Sequence, residues 1–248
     1  MKISPRAWKK DITAFYDGLY RQTDHFKRDW EGRIGEFYKL PKYVSIIADD
    51  IRRNFDPEEP IRILEVGAGI GEVSERLRDT CRTLIKEYVA SEISEEGVKK
   101  LRERGFAALH QDAEDLSLCG DGSFDFVCAI DVMHHVGDPR RMAREMVRVS
   151  RKRVFLIEAN GLCLIRKILE RTSKYRNAGE SSYAPWTYRS FFRGNAVREF
   201  RIKPFLFSVP FAPEPLIKTV IALSETLEKI PFLRWQGSGV IIRAVKQN

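Results

Sequence analysis

From Ile61 onward, short apolar runs alternate with charged stretches in which apolar positions recur every third or fourth residue. The runs Ile61–Val66, Tyr88–Glu92, Ala107–Gln111, Phe124–Ile130 and Arg153–Glu158 predict strands. Between them, Gly71–Asp79, Glu95–Arg104 and Pro139–Ser150 predict helices. Alternation of this kind builds βαβ units, so the strands are expected to lie parallel with helices on the sheet faces. The first 60 residues differ. Aromatic and aliphatic positions such as Phe15, Tyr16, Leu19, Tyr20, Tyr38, Tyr43, Ile47 and Ile51 are scattered among charges, which predicts a helical segment closed by the turn-rich Asp56-Pro-Glu-Glu-Pro60. After Asn160-Gly161 the alternation breaks. Leu162–Arg171 reads as a basic amphipathic helix, Thr172–Ser182 as a polar connection and Phe205–Phe211 as a strand. Leu216, Val220, Leu223, Leu227 and Ile230 keep helical spacing, which predicts a helix over Pro215–Lys229. Gly237–Val245 reads as a closing strand, with the last two strands an antiparallel pair added to the sheet.

Composition narrows this to one large domain with a helical addition. The chain has 248 residues, 43% apolar and 31% charged, enough to bury a sizeable core. No apolar run approaches the roughly 18 residues of a membrane span, and the polar start Met1–Lys10 does not read as a secretory signal. The expectation is a cytoplasmic protein. Cys81, Cys119, Cys128 and Cys163 contain no CxxC pair, so they are expected to be buried free thiols rather than a disulfide frame or zinc ribbon. No metal site is expected. Charge is uneven: residues 61–150 carry 13 basic and 17 acidic groups, whereas residues 151–248 carry 18 and 7. A basic region of that kind attracts anionic partners or serves as a solvated surface.

The chemistry is concentrated in Ile63-Leu-Glu-Val-Gly-Ala-Gly-Ile-Gly-Glu72. Gly67, Gly69 and Gly71 stand between a predicted strand and a predicted helix, where glycine permits a sharp turn and close approach of a ligand to backbone. A dinucleotide fingerprint needs a small residue at its sixth position, but here that position is Glu72. A carboxylate at the helix N-terminus repels a pyrophosphate and tolerates a sulfonium cation. The loop therefore favours S-adenosylmethionine over NAD, and the absence of a following GK[ST] excludes a P-loop.

Glu65-x-Gly67-x-Gly69-x-Gly71 resembles motif I of the class I S-adenosylmethionine-dependent methyltransferases. Phe124-Asp-Phe-Val-Cys-Ala-Ile-Asp-Val-Met-His-His-Val136 resembles the fourth strand and following stretch of the type-11 and ubiquinone-biosynthesis-like members. The likeness covers residues 61–160. It implies a Rossmann-like, doubly wound α/β fold with a mostly parallel seven-stranded sheet, an antiparallel last strand and an N-terminal helical lid. By this reading the lid is residues 1–60 and the methyltransferase domain residues 61–248, with a substrate-covering insertion at about 161–203. The resemblance further implies that Glu92 takes the ribose hydroxyls, that Asp112 and Ala113 flank the adenine, and that Tyr20, Ala68, Ile93, Ala129, Ile130 and Asp131 complete the cofactor site. S-adenosylhomocysteine is the implied product. For catalysis it points to His135 as a base, paired with Tyr16 or Tyr20; His25 and His110 have no such context.

The acceptor is narrowed by elimination. No (D/N/S)PP(Y/F) sequence follows the fourth predicted strand and no Pro-Cys pair exists, which disfavours DNA. Small molecules, lipids, glycans and RNA remain, with O-methylation of a small or lipid-like, anionic acceptor preferred. An RNA-modifying enzyme and a cofactor-binding protein without catalysis stand as alternatives. Arg189, Arg193 and Arg198, among the aromatics of the basic C-terminal block, are expected to hold an anionic group. The Pro215–Trp235 stretch either covers the sheet or rests on a membrane surface.

Overall fold

The computed structural model describes residues 5–207 and 212–247. Its centre is a seven-stranded sheet made of β1 (Ile61–Val66), β2 (Ile85–Glu92), β3 (Ala107–His110), β4 (Phe124–Ile130), β5 (Ser150–Ala159), β6 (Val197–Phe205) and β7 (Gly239–Lys246). The strand order is β3-β2-β1-β4-β5-β7-β6. Strands β1 to β5 pair in parallel, while β7 runs antiparallel to both β5 and β6. The order reverses between β1 and β4, and the carboxyl ends of strands flanking such a switch point form the crevice where α/β sheets bind ligands.

Alternating side chains fill two layers. Ile63, Ala90, Cys128, Phe155 and Ile241 pack under α3 (Leu40–Asn54), α4 (Glu72–Thr80) and α5 (Glu95–Glu103). Leu64, Val89, Val127, Leu156 and Ile242 pack on the other face against Met142, Ala143 and Met146 of α6 (Pro139–Val149). The fold is thus the doubly wound α/β sandwich expected. All four cysteines are free and buried.

Several boundaries differ from the sequence reading. The helical segment before β1 divides: α1 (Pro5–Arg21) and α2 (Phe26–Glu31) lie over the carboxyl edge of the sheet, whereas α3 belongs to the core. Its Asp50 accepts from Arg243 (2.5 Å) and Arg153 (3.1 Å), which fixes α3 to β7 and β5. The strand expected at Phe205–Phe211 instead ends at Phe205; Leu206 turns the chain out with φ 66°, and 208–211 lie outside the described residues. The connection from β5 to β6 is therefore 160–196, shorter than the expected insertion. It carries α7 (Leu164–Leu169), α8 (Ser173–Asn177) and α9 (Pro185–Phe191). The late helix, α10 (Ile217–Glu228), forms as its spacing predicts. Among the described residues no helix is long and apolar enough to cross a membrane.

Candidate functional site

One cavity opens at the carboxyl edge of β1, β2 and β4, beneath α1 and α2. Its floor is the loop after β1. Gly67 and Gly69 hold φ of 68° and 57°, a region that L side chains enter at a cost. A Cβ at Gly67 would lie 2.6 Å from a Val132 methyl, and one at Gly69 would lie 3.0 Å from the Tyr20 hydroxyl. Gly71, at φ 86°, starts α4 and does not line the cavity. Beneath the loop, Glu65 is buried and accepts from the Ser74 and Tyr88 hydroxyls, each at 2.5 Å. Burial, partly offset by those hydroxyls, raises its pKa to about 7.

Glu92 closes the second strand and organises the wall. Oε2 accepts from the Gly69 amide (2.9 Å), and Oε1 accepts from Ile93 and Ser94 (2.9 Å each). Burial raises its pKa and these amide bonds resist the rise. Ser94 caps α5 and donates to Asp17 of α1 at 2.6 Å, so the lid is fastened to the same turn. Asp112 and Ala113 line the wall beside Ile93, and an Asp112 oxygen accepts from the Glu114 amide at 2.9 Å. Ala68, Ile130 and Asp131 line the cavity as well, whereas Ala129 is buried on the opposite face of β4.

The lid supplies charge the sequence reading missed. Lys27 of α2 donates its backbone N–H to Glu72 (2.9 Å) and its ammonium to Asp131 (2.8 Å). Burial alone would push that ammonium down, but Asp131, Glu31 and Glu72 together lift it above its ordinary value. Asp131, with φ 57°, is held well below the usual carboxylate range: burial opposes its charge, and Lys27, Lys39 and His134 prevail. Lys39 and Glu31 form a second buried pair at 2.6 Å.

Past β4, a single 3₁₀ turn presents His134 and His135. Tyr16 of α1 places its hydroxyl 3.2 Å from His135 Nε2, and Tyr20 lies beside Tyr16 with ring centroids 5.5 Å apart. Burial and the adjacent His134 charge lower the His135 pKa to about 3. His134 behaves oppositely. Its Nδ1 donates to Glu158 at 2.7 Å and its Nε2 lies 3.3 Å from Glu180, so despite burial its pKa rises to about 9. Glu158 also accepts from the Val132 and Met133 amides at 3.1 and 2.8 Å. Glu180 is paired with Arg166 of α7, and Arg166 and His134 overcome burial to hold its carboxyl far below the ordinary value. His134, His135 and Glu180 also form a group of metal-ligating types whose ligand atoms lie within 4.8 Å. The space between them already receives positive charge from the His134 imidazolium and Arg166.

The remaining walls are apolar and aromatic: Ile12, Phe26 and Trp30 from the lid, with Ile165, Leu169 and Tyr175 from the β5–β6 connection. Phe26 and Trp30 stack at 6.1 Å between centroids. The cations that line the cavity, Lys27, Lys39 and Arg166, each have a carboxylate partner. Arg189, Arg193 and Arg198 are exposed and lie outside the lining, and the Tyr188 hydroxyl among them is buried on the Ala159 carbonyl at 2.8 Å. Lys27, Glu158, Arg166 and Glu180 carried no motif; their roles come from partners more than ten positions away.

Residues 64–157 match the family described as Methyltransferase domain, type 11. Among curated proteins, a non-reducing polyketide synthase of Stereocaulon alpinum is 26% identical over 168 residues, 59% of this chain but only 7% of that protein's length. Solved structures extend the likeness to almost the whole fold. A Thermotoga maritima S-adenosylmethionine-dependent methyltransferase superposes with TM-score 0.59 at 18% identity, over 90% of this chain and 98% of its own. The methyltransferase bound to the Trm112 activator in a Haloferax volcanii complex gives 0.66 at 16%, over 94% and 98%. Magnesium protoporphyrin IX methyltransferase from Synechocystis, solved with S-adenosylhomocysteine, gives 0.56 at 14%, over 83% of each chain.

Proposed function

We infer that the chain is a class I S-adenosylmethionine-dependent methyltransferase and that it methylates a hydroxyl on an apolar, amphiphilic small molecule. The observation that carries this reading is the Tyr16–His135 contact at 3.2 Å, set among aromatic walls.

The cofactor's fit rests on the cradle itself. Side chains at Gly67 or Gly69 would collide with Val132 or Tyr20, and the acidic residues Glu65, Glu72, Glu92, Asp112 and Asp131 surround the loop, with the nearby Lys27 ammonium paired to Asp131. When bound, S-adenosylmethionine supplies an electrophilic methyl group on a sulfonium, and transfer leaves S-adenosylhomocysteine. In this reading Glu92 takes a ribose hydroxyl, since three amides occupy three of the four lone pairs of its carboxylate and leave one on Oε2. Asp112 and Ala113 flank the base. The Lys27–Asp131 pair offers an ammonium and a carboxylate to the zwitterionic amino-acid end, a match of charge for charge.

The acceptor's proton goes to His135 Nε2. Its imidazole is neutral across physiological pH but, held at about 3, is a weak base, so it takes the proton only as the new O–CH3 bond makes the hydroxyl strongly acidic; Tyr16 orients the ring and the incoming hydroxyl. The walls of Phe26, Trp30, Ile165, Leu169 and Tyr175 shed water around an apolar body and hold it in one orientation. Pairing of Lys27, Lys39 and Arg166 with carboxylates favours a neutral acceptor over the anionic one expected from sequence.

The test is a screen of the purified protein with methyl-labelled cofactor against hydroxylated aromatic and isoprenoid-like compounds, acidic sugars and RNA. Label in a base-stable ether on the apolar compounds supports the reading. Label confined to RNA or to acidic sugars overturns it.

A further inference from the structure

We propose that the mouth of the cavity docks on an anionic membrane surface. The short helix α7 turns Leu164, Ile165 and Ile168 outward, 69%, 51% and 64% exposed. Beside it lies the turn after α10, where Phe232 is 73% exposed and Trp235 39%. The two segments are joined: the Leu164 amide donates to Gln236 Oε1 at 3.3 Å, and the Asn160 side-chain amide donates to the Trp235 carbonyl at 2.8 Å. Five large apolar side chains therefore share one rim. Ile165 stands at the border of that rim and also lines the cavity, together with Leu169 and with Cys163, the residue before the helix. Clustered exposed apolar residues mark an interaction surface rather than ordinary surface scatter.

Charge decides the occupant. Arg166 faces the cavity on Glu180 and Lys167 pairs with Glu170, but residues 171–176 carry Arg171, Lys174 and Arg176 with no acid, and residues 229–236 carry Lys229 and Arg234 with no acid. Arg171, Arg176 and Lys229 are exposed, Arg171 three positions after Ile168 and Lys229 three before Phe232. A second copy of the chain would bring this basic surface against itself. Anionic headgroups complement it, and tryptophan, phenylalanine and aliphatic residues ringed by arginine and lysine suit the boundary between headgroups and acyl chains. An apolar acceptor of the kind proposed above would then enter from the bilayer without crossing water. The docking surface itself does not rest on that reading.

Flotation of the full chain with vesicles of equal parts phosphatidylglycerol and phosphatidylcholine tests this directly. The protein is expected to float with them, and to bind about tenfold less to phosphatidylcholine alone or in high salt. Ile168→Glu and Phe232→Glu, neither lining the cavity, should each lower binding by about tenfold with affinity for S-adenosylhomocysteine unchanged. Arg171→Glu and Lys229→Glu, at exposed positions that folding tolerates, give the same test through charge. Failure of the wild type to float, equal flotation of all four variants, or dimerisation lost in the same variants overturns the proposal. Flotation is read without turnover, so its failure leaves methyl transfer unaffected, and the converse holds.

Discussion

Lys27 and Asp131 stand 104 positions apart in the chain, yet the ammonium of one meets the carboxylate of the other at 2.8 Å. This pair ties the lid to the tip of β4. Its lysine side chain is 9% exposed and its aspartate 25%, so neither charge is fully solvated if the partner is removed. Lys27→Met should lower stability by roughly 2–3 kcal/mol, somewhat less than for a fully buried pair because Asp131 reaches water. Asp131→Asn keeps a residue that accepts positive φ. The double variant should cost less than the sum of the single ones in urea denaturation; strict additivity would show that the pair is not coupled.

Glu92 serves three amides at once and, in the proposed function, the ribose, so its substitution is expected to act on both the loop and the ligand. Glu92→Gln replaces one acceptor oxygen with a donor and should weaken binding of S-adenosylhomocysteine by about tenfold to a hundredfold. Titration calorimetry measures this. Unaltered affinity would remove the ribose from this carboxylate.

The strands β1 to β5 were legible because each is a short apolar run, most of them set off by charged helical stretches, and β1 and β4 match their predicted limits. β6 was not. Its sequence Val-Arg-Glu-Phe-Arg-Ile-Lys-Pro-Phe places Phe200 and Ile202 between charges, as an edge strand with a solvated face does, and so it read as part of a basic insertion. The glycine loop, Glu92 and the Tyr16–His135 pair were readable as local motifs or through family likeness. The network of Glu158, His134, Glu180 and Arg166 was not, because its four members come from separate elements and no spacing rule links them.

The two adjacent histidines should titrate in opposite senses. His135, depressed to about 3, remains neutral at pH 5–8, so kcat/KM should show no acid limb near pH 6.5 that belongs to an ordinary imidazole. Tyr16→Phe should lower turnover by about tenfold and leave that profile flat, since the tyrosine orients rather than carries the proton. A limb at 6.5 in the wild type would assign the proton to another group.

His134 binds its proton more tightly in the folded chain, with a pKa of about 9 against an ordinary 6.5. Its stabilising contribution is therefore complete below pH 6.5 and is lost as pH rises through 9. The melting temperature of the wild type should fall across that window relative to its value at pH 6. In His134→Gln, which starts lower, that part of the fall should be absent. Parallel curves for the two proteins would show that the imidazolium does not bridge Glu158 and Glu180.

In the proposed function His135 takes the acceptor's proton without holding the cofactor. Single-turnover methyl transfer by His135→Gln, with S-adenosylhomocysteine affinity measured on the same preparation, tests it most directly. The rate is expected to fall by about 10²–10⁴ with cofactor affinity unchanged within about twofold. Transfer at the wild-type rate would contradict it.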